Sequence, residues 1–203
     1  EIIAHDVFDN VTVYPVTLTY QPNIPELPYT IDWSTMDSIE DVQAVAHIID
    51  GKWRLEDGAI RIEEVGYDRI IGLGDVSWQD YEVTVPVTLH GQNRDGTVGI
   101  VMRWGGHTQT PVACVQPQCG YLPVGMIGWY SVDRQSVRFF PQEDIESERV
   151  LESEIPYMFK SQAETTPSGT VFRLKVWEMG TIEPDEWDIT TVVPLIELNT
   201  GSV

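Results

Sequence analysis

Residues 80–91, DYEVTVPVTLHG, alternate strictly: Tyr81, Val83, Val85 and Val87 would point to one face, and Glu82, Thr84, Pro86 and Thr88 to the other. A period of two over eight residues is the mark of a strand with one face buried. Pro86 cannot donate to a ladder, so the strand is expected at a sheet edge or at a bulge.

Working outward, short runs of the same style flank it. Upstream lie TIDW, VQAVAHI ended by Asp50-Gly51, KWRLE ended by Asp57-Gly58, AIRIE and DRIIGLG. Asp-Gly between apolar-alternating runs is a hairpin signal. Downstream come TVGIVMRW, MIGWYSV, SVRFFP, an acidic connection QEDIESE, PYMFKSQAET, a Pro-Ser-Gly turn, TVFRLKVWEMG and PLIEL. Only Met36 to Ala46 approaches a helical period, with room for one short helix. The expectation is an all-β chain built as a two-sheet antiparallel sandwich, with little or no helix.

Composition bounds the rest. The 203 residues show no second compositional regime, and seven Trp, eight Tyr and five Phe supply enough bulk for one sizeable core. Against 12 basic residues stand 32 acidic ones, a net charge of −20. That balance argues against nucleic acid or an anionic membrane as partner; it suits either a solvated acidic surface or hard cations such as Ca²⁺. No run of about 20 apolar residues suggests a membrane span, and no basic-then-apolar leader opens the chain, so a secreted protein would here be in its mature form. Cys114 and Cys119, in a run rich in Pro, Gly and Gln, read as a local disulfide or as two free thiols. The disulfide reading points to an extracellular or cell-surface location.

The first sixteen residues, EIIAHDVFDNVTVYPV, look like a terminal strand placed at the front. Val7, Asp9, Val11 and Val13 alternate with Phe8, Asn10, Thr12 and Tyr14, and Pro15 ends the run. Residues 17–29 hold three prolines and read as an extended linker; the body is expected over 30–203. Asn10-Val-Thr12 is also a glycosylation sequon, usable only if Asn10 faces outward.

The succession DGAIRI, W-x-DYEV and G-x-x-x-RW resembles the concanavalin A-like, laminin-G-type jelly roll of bacterial extracellular proteins, over roughly residues 30 to 200. In that fold the first and last strands lie side by side. The resemblance implies one more strand after PLIELNTGSV, of the form hydrophobic–Asp–x–Val–x–Val–Tyr. Phe8-Asp9-Asn10-Val11-Thr12-Val13-Tyr14 has that form, so the end of the sequence reads cyclically into its beginning. Three arrangements satisfy this: closure in cis, insertion of Val7, Phe8, Val11, Val13 and Tyr14 into a neighbouring copy as a donor strand, or a unit cut from a tandem array. The second makes a head-to-tail homopolymer and is the functional expectation carried forward.

The same resemblance implies a structural Ca²⁺ held by Asp9, Asp32 and the Gly58 carbonyl; otherwise Asp9 is a strand-end acid. Related β-glucanases carry a Glu–x–Asp–x–(x)–Glu strand. The nearest string here, Glu143 to Glu148, has the wrong order, and no other nucleophile or phosphate-binding motif appears, so no enzymatic activity is expected. The rival expectation is polysaccharide binding through Arg69, Arg103, His107 and Trp129, with Trp104, Tyr130 and Trp177 as further candidates, although most Trp side chains of such a sandwich fill the core.

Overall fold

The computed structural model describes residues 2–17, 24–66, 69–91, 96–106, 124–142, 144–194 and 199–203. His107, Cys114, Cys119, the PLIEL run after Pro194 and residues 18–23 of the Pro-rich linker lie outside the described residues.

In chain order the strands are β1 Ile2–His5, β2 Val11–Tyr14, β3 His47–Asp50, β4 Trp53–Glu56, β5 Ala59–Ile62, β6 Ile70–Gly72, β7 Tyr81–Thr88, β8 Thr97–Met102, β9 Met126–Ser131, β10 Ser136–Phe140, β11 Glu146–Glu148, β12 Pro156–Thr166, β13 Gly169–Glu178 and β14 Ile189–Val193. Two antiparallel sheets of four make the sandwich, ordered β14-β13-β12-β7 and β11-β10-β9-β8. Val83, Val85 and Val87 of β7, Phe159 of β12, and Phe172, Leu174 and Val176 of β13 pack on one side of the core. Ile100, Met102, Met126, Tyr130, Val137 and Phe139 pack on the other. The period-two pattern thus places the apolar sets as a sandwich requires.

Several local expectations hold. The strand read from residues 80–91 is β7, an edge strand, and Pro86 sits on it opposite Met158. Among the described residues the one α-helix, α1, spans Ile39–Gln43. Ser38 caps it by accepting from the Asp41 amide, and the Asp41 carboxylate in turn accepts from the Ser38 amide. Asp57-Gly58 joins the paired strands β4 and β5 in left-handed backbone, φ 52° and 74°.

Four expectations are corrected. TIDW is no strand: Asp32 caps a 3-10 turn at Trp33–Thr35, because its Oδ1 accepts the Ser34 amide at 3.0 Å and so competes with extended backbone. Asp50-Gly51 joins strands that do not pair, since β3 pairs with β6 and β4 with β5. The acidic connection contains β11, whose Glu146 meets Arg138 at 3.1 Å; a basic neighbour makes an acidic edge strand favourable. The opening segment, finally, is a hairpin. β1 pairs with β2 from Ile2↔Tyr14 to His5↔Val11, and Val7 and Phe8 form the turn between them.

Gly58 is a position where the hairpin turn requires backbone freedom. A Cβ there would require left-handed backbone and would lie 3.1 Å from Ser34 Cβ. Gly58→Ala should therefore cost about 1–2 kcal/mol, lowering the melting temperature by about 2–4 °C per kcal/mol. An unchanged thermal melt would mean that the turn is not left-handed.

Candidate functional site: the edge between β6 and β8

The residues Gly201–Val203 hold the two walls of this site together. Ser202 exchanges both backbone hydrogen bonds with Trp104, each 2.9 Å. The next residue, Val203, exchanges both with Leu73 on the opposite side, at 2.7 and 3.0 Å. Successive residues bonding to opposite neighbours is the habit of a strand inside a sheet. The segment thus joins the β3-β6 pair to the β8 end of the larger sheet. The side chain of Trp104 reaches across the same gap to Gly72, where an added Cβ would meet its ring at 3.3 Å.

Beyond Trp104, β8 runs on as the last strand of its sheet. The Gly96 and Met102 carbonyls accept from Val132 and Gly125 on the β9 side, each at 3.0 Å. Alternation then turns the N–H and C=O groups of Thr97, Gly99 and Val101 the other way, where they meet no strand among the described residues. Thr97 and Gly99 are exposed, while Ile100 and Met102, further along the strand, belong to the core. Among the described residues it is an open sheet edge above apolar packing, a feature proteins otherwise keep covered.

The floor of the site is built by Arg103. Its backbone is left-handed, φ 53°, in a bulge between β8 and Trp104, and the side chain is 0% exposed. The guanidinium donates to the Gln79 carbonyl at 3.1 Å, Thr170 Oγ1 at 2.7 Å, Thr165 Oγ1 at 2.7 Å and Asp80 Oδ1 at 3.1 Å. Its amide donates to the Tyr81 hydroxyl at 2.6 Å, and that hydroxyl donates to the Ser202 carbonyl at 3.1 Å. Burial holds the Arg103 pKa below its ordinary value, with Asp80 opposing the shift. Burial likewise pushes the Tyr81 phenol up to about 12, partly offset by the Arg103 amide.

The N-terminal hairpin stands apart from this ladder. Its strands pair only with each other among the described residues, and its apolar side chains are open to solvent: Val7 is 93% exposed, Phe8 82% and Tyr14 70%. Val11 and Val13, the expected inward residues of a donor strand, are about half exposed. Asp6 shapes the turn, its carboxylate accepting from the Phe8 amide at 2.8 Å, the Asn10 amide at 3.0 Å and Asn10 Nδ2 at 2.7 Å. The Asn10 side-chain bond, followed by the Phe8 amide, lowers the Asp6 pKa. Asp9 takes the left-handed position, φ 61°, that closes a three-residue hairpin loop. Asn10 itself is exposed.

The candidate calcium ligands are only partly united. Gly58 packs on Ser34, whose amide and hydroxyl bond to Asp32 at 3.0 and 2.6 Å, so Asp32 and Gly58 share a corner. Asp9 lies on the hairpin loop. Among the described residues no three His, Cys, Asp or Glu side chains converge as a metal-binding group. One carboxylate and one carbonyl fall short of the six to eight oxygens Ca²⁺ takes, so the described residues of one chain do not bring that set together.

Nor do the candidate sugar-binding residues meet. Neighbours in a regular strand, Arg103 and Trp104 would point to opposite faces; the bulge at Arg103 instead buries both, which takes Arg103 out of reach of a soluble ligand. Tyr130 belongs to the core. Trp129 stacks on Phe140 at 5.7 Å on the outer face of one sheet, whereas Trp177 lies on the outer face of the other, beside Lys175. Lys175 is held there by Trp187 at 4.7 Å and Glu183 at 2.8 Å. Arg69 is half buried across the Gly51 and Gly66 backbone, donating to the Glu64 carbonyl at 3.1 Å. The residues the sequence reading missed are Tyr81, Asp80 and Gly201–Val203. Tyr81 was legible as an inward residue of a strand, but its hydroxyl partners lie 22 and 121 positions away.

None of the family models, curated proteins and solved structures compared with this chain matches it.

Because the folded Tyr81 stays neutral to about pH 12 while an unfolded tyrosine ionises near 10, its contribution is complete below pH 10 and is lost as pH rises to about 12. Two units correspond to about 3 kcal/mol. Urea unfolding at pH 8, 10 and 11.5 should show a steeper loss for the wild type than for Tyr81→Phe, although the variant starts about 1–3 kcal/mol lower. Parallel curves would refute the buried phenol. Arg103→Lys should cost about 3 kcal/mol or more, since an ammonium cannot serve four separate acceptors in fork geometry; a loss below about 1 kcal/mol would show that the clasp is dispensable.

Proposed function

We propose that this chain is a self-assembling structural subunit that donates its N-terminal segment to the β6–β8 edge of a neighbouring copy, building a head-to-tail filament outside the cell. The observation that carries this reading is the coexistence, among the described residues, of an open sheet edge and a separate apolar hairpin in one chain. One is the β8 edge, which meets no strand among the described residues and is aligned by Gly201–Val203; the other is an exposed strand with Val11 and Val13 on one face. A strand collinear with Val203 would run antiparallel to β8 and add main-chain hydrogen bonds to Thr97, Gly99 and Val101. Val203 already packs against the core, so the residues two and four places further along would face it too, and the period of Val11 and Val13 suits that need. Burying a Val or Phe side chain contributes about 1.5–3 kcal/mol each, and a donor-to-acceptor contact that does not close on itself propagates as a fibre. A calcium ion belongs to this reading only at the junction, with Asp9 of the donor brought to the Asp32–Gly58 corner of the acceptor.

The wild-type chain should form filaments by electron microscopy, with light scattering that rises with concentration. Excess synthetic peptide of residues 1–16 should cap the open edge and shorten them. Val11→Asp/Val13→Asp should leave a folded monomer that does not assemble but still binds the wild-type peptide at its intact β8 edge. A wild type that stays monomeric at every concentration, with no effect of the peptide on its melting temperature, would sink the proposal.

A further inference from the structure

The two halves do not match as they stand, and the mismatch is informative. At Gly201–Val203 the walls of the acceptor are bridged by one extended segment, with Ser202 bonded to Trp104 and Val203 to Leu73. Adjacent strands lie about 4.8 Å apart, so the walls stand about 10 Å apart and admit a single strand. The donor segment is two strands wide, four registered pairs joining β1 to β2 from Ile2↔Tyr14 to His5↔Val11. One edge of β2 is therefore already occupied by β1, and that edge would be required by a wall of the slot.

We infer that the hairpin is the self-masked, resting form of the donor: β1 covers β2 until an acceptor edge displaces it, and only β2 with its flanking residues enters the slot. The inference rests on the strand-donation reading above. Exchange replaces one ladder by two, so it runs downhill in main-chain hydrogen bonds once an acceptor is engaged. An isolated two-stranded hairpin is marginally stable in water, which makes β1 a removable cover. Masking also explains how a chain with an apolar donor strand avoids indiscriminate edge pairing while it is monomeric.

The latch is the turn. Asp6 accepts three hydrogen bonds from Phe8 and Asn10, and the Asp9 amide donates to the Asp6 carbonyl at 3.2 Å, closing the loop that holds β1 against β2. Val7 and Phe8, at the tip, are the most exposed large apolar side chains of the segment. They are placed to touch an acceptor first and to lead the exchange.

The test is to lock and to loosen the hairpin in the full chain. Ala4→Cys/Thr12→Cys joins a registered pair whose Cα atoms in such a ladder lie about 4.5–5.5 Å apart, within disulfide reach, and it leaves Val11 and Val13 in place. Oxidised, this variant should elongate at least about tenfold more slowly than the same sample reduced, with wild type given the same reductant as control. Asp6→Ala should assemble faster than wild type, shortening the lag. Equal growth of the oxidised and reduced variant would overturn the masking while leaving strand donation intact. Failure of wild type and reduced variant alike would instead remove the donation reading, and the mask with it.

Discussion

The buried guanidinium of Arg103 is the constraint on which the rest of this molecule depends. It joins the end of β8 to Thr165 on β12 and Thr170 on β13, and therefore ties one sheet of the sandwich to the other at a corner. A buried cation is costly unless its donors are met, and here four acceptors and the face of Phe172 at 5.8 Å meet them. The left-handed backbone at Arg103 shifts the phase of β8 by one residue. That shift turns the Trp104 backbone toward Ser202 rather than toward β9, so the clasp and the acceptor edge arise from the same bulge.

Tyr81 carries the effect further. It begins the edge strand of one sheet, and its hydroxyl links the Arg103 amide to the Ser202 carbonyl, fixing where the segment Gly201–Val203 enters the other sheet. Gly201 completes the fit by lying against the Arg103 backbone too closely for any side chain. The alignment of the acceptor edge is thus decided by buried polar bonds far from the edge itself. The hairpin, in contrast, is held by local bonds around Asp6 and by a small ladder, so the two partners of the proposed junction differ in rigidity: a preorganised receiver and a removable cover.

Surface charge fits this division. The acidic excess, a net charge of −20, sets up repulsion between copies, and basic side chains on the outer face of the β14-β13-β12-β7 sheet are engaged within the chain, Lys160 by Glu82 and Glu183, Arg173 by Glu164. That face therefore offers no broad basic patch to the acidic surface of another copy, and in the proposed assembly main-chain pairing at one edge is the more selective contact.

Much of the architecture was legible from local pattern. The alternation in β7, β12 and β13, the Asp57-Gly58 turn, the edge position of Pro86 and the single short helix near Met36 to Ala46 each follow from chemistry within a few residues. The β-strand character of Val11–Tyr14 was legible too. What the chain alone did not disclose was decided by contacts distant in sequence. Whether β2 pairs with the body or with Ile2–His5, whether Arg103 faces solvent or two threonines more than sixty positions away, and which strands flank Ser202 and Val203 all depend on partners brought together by the fold. A period of two assigns a side chain to a face; only the packed sheets determine what that face meets.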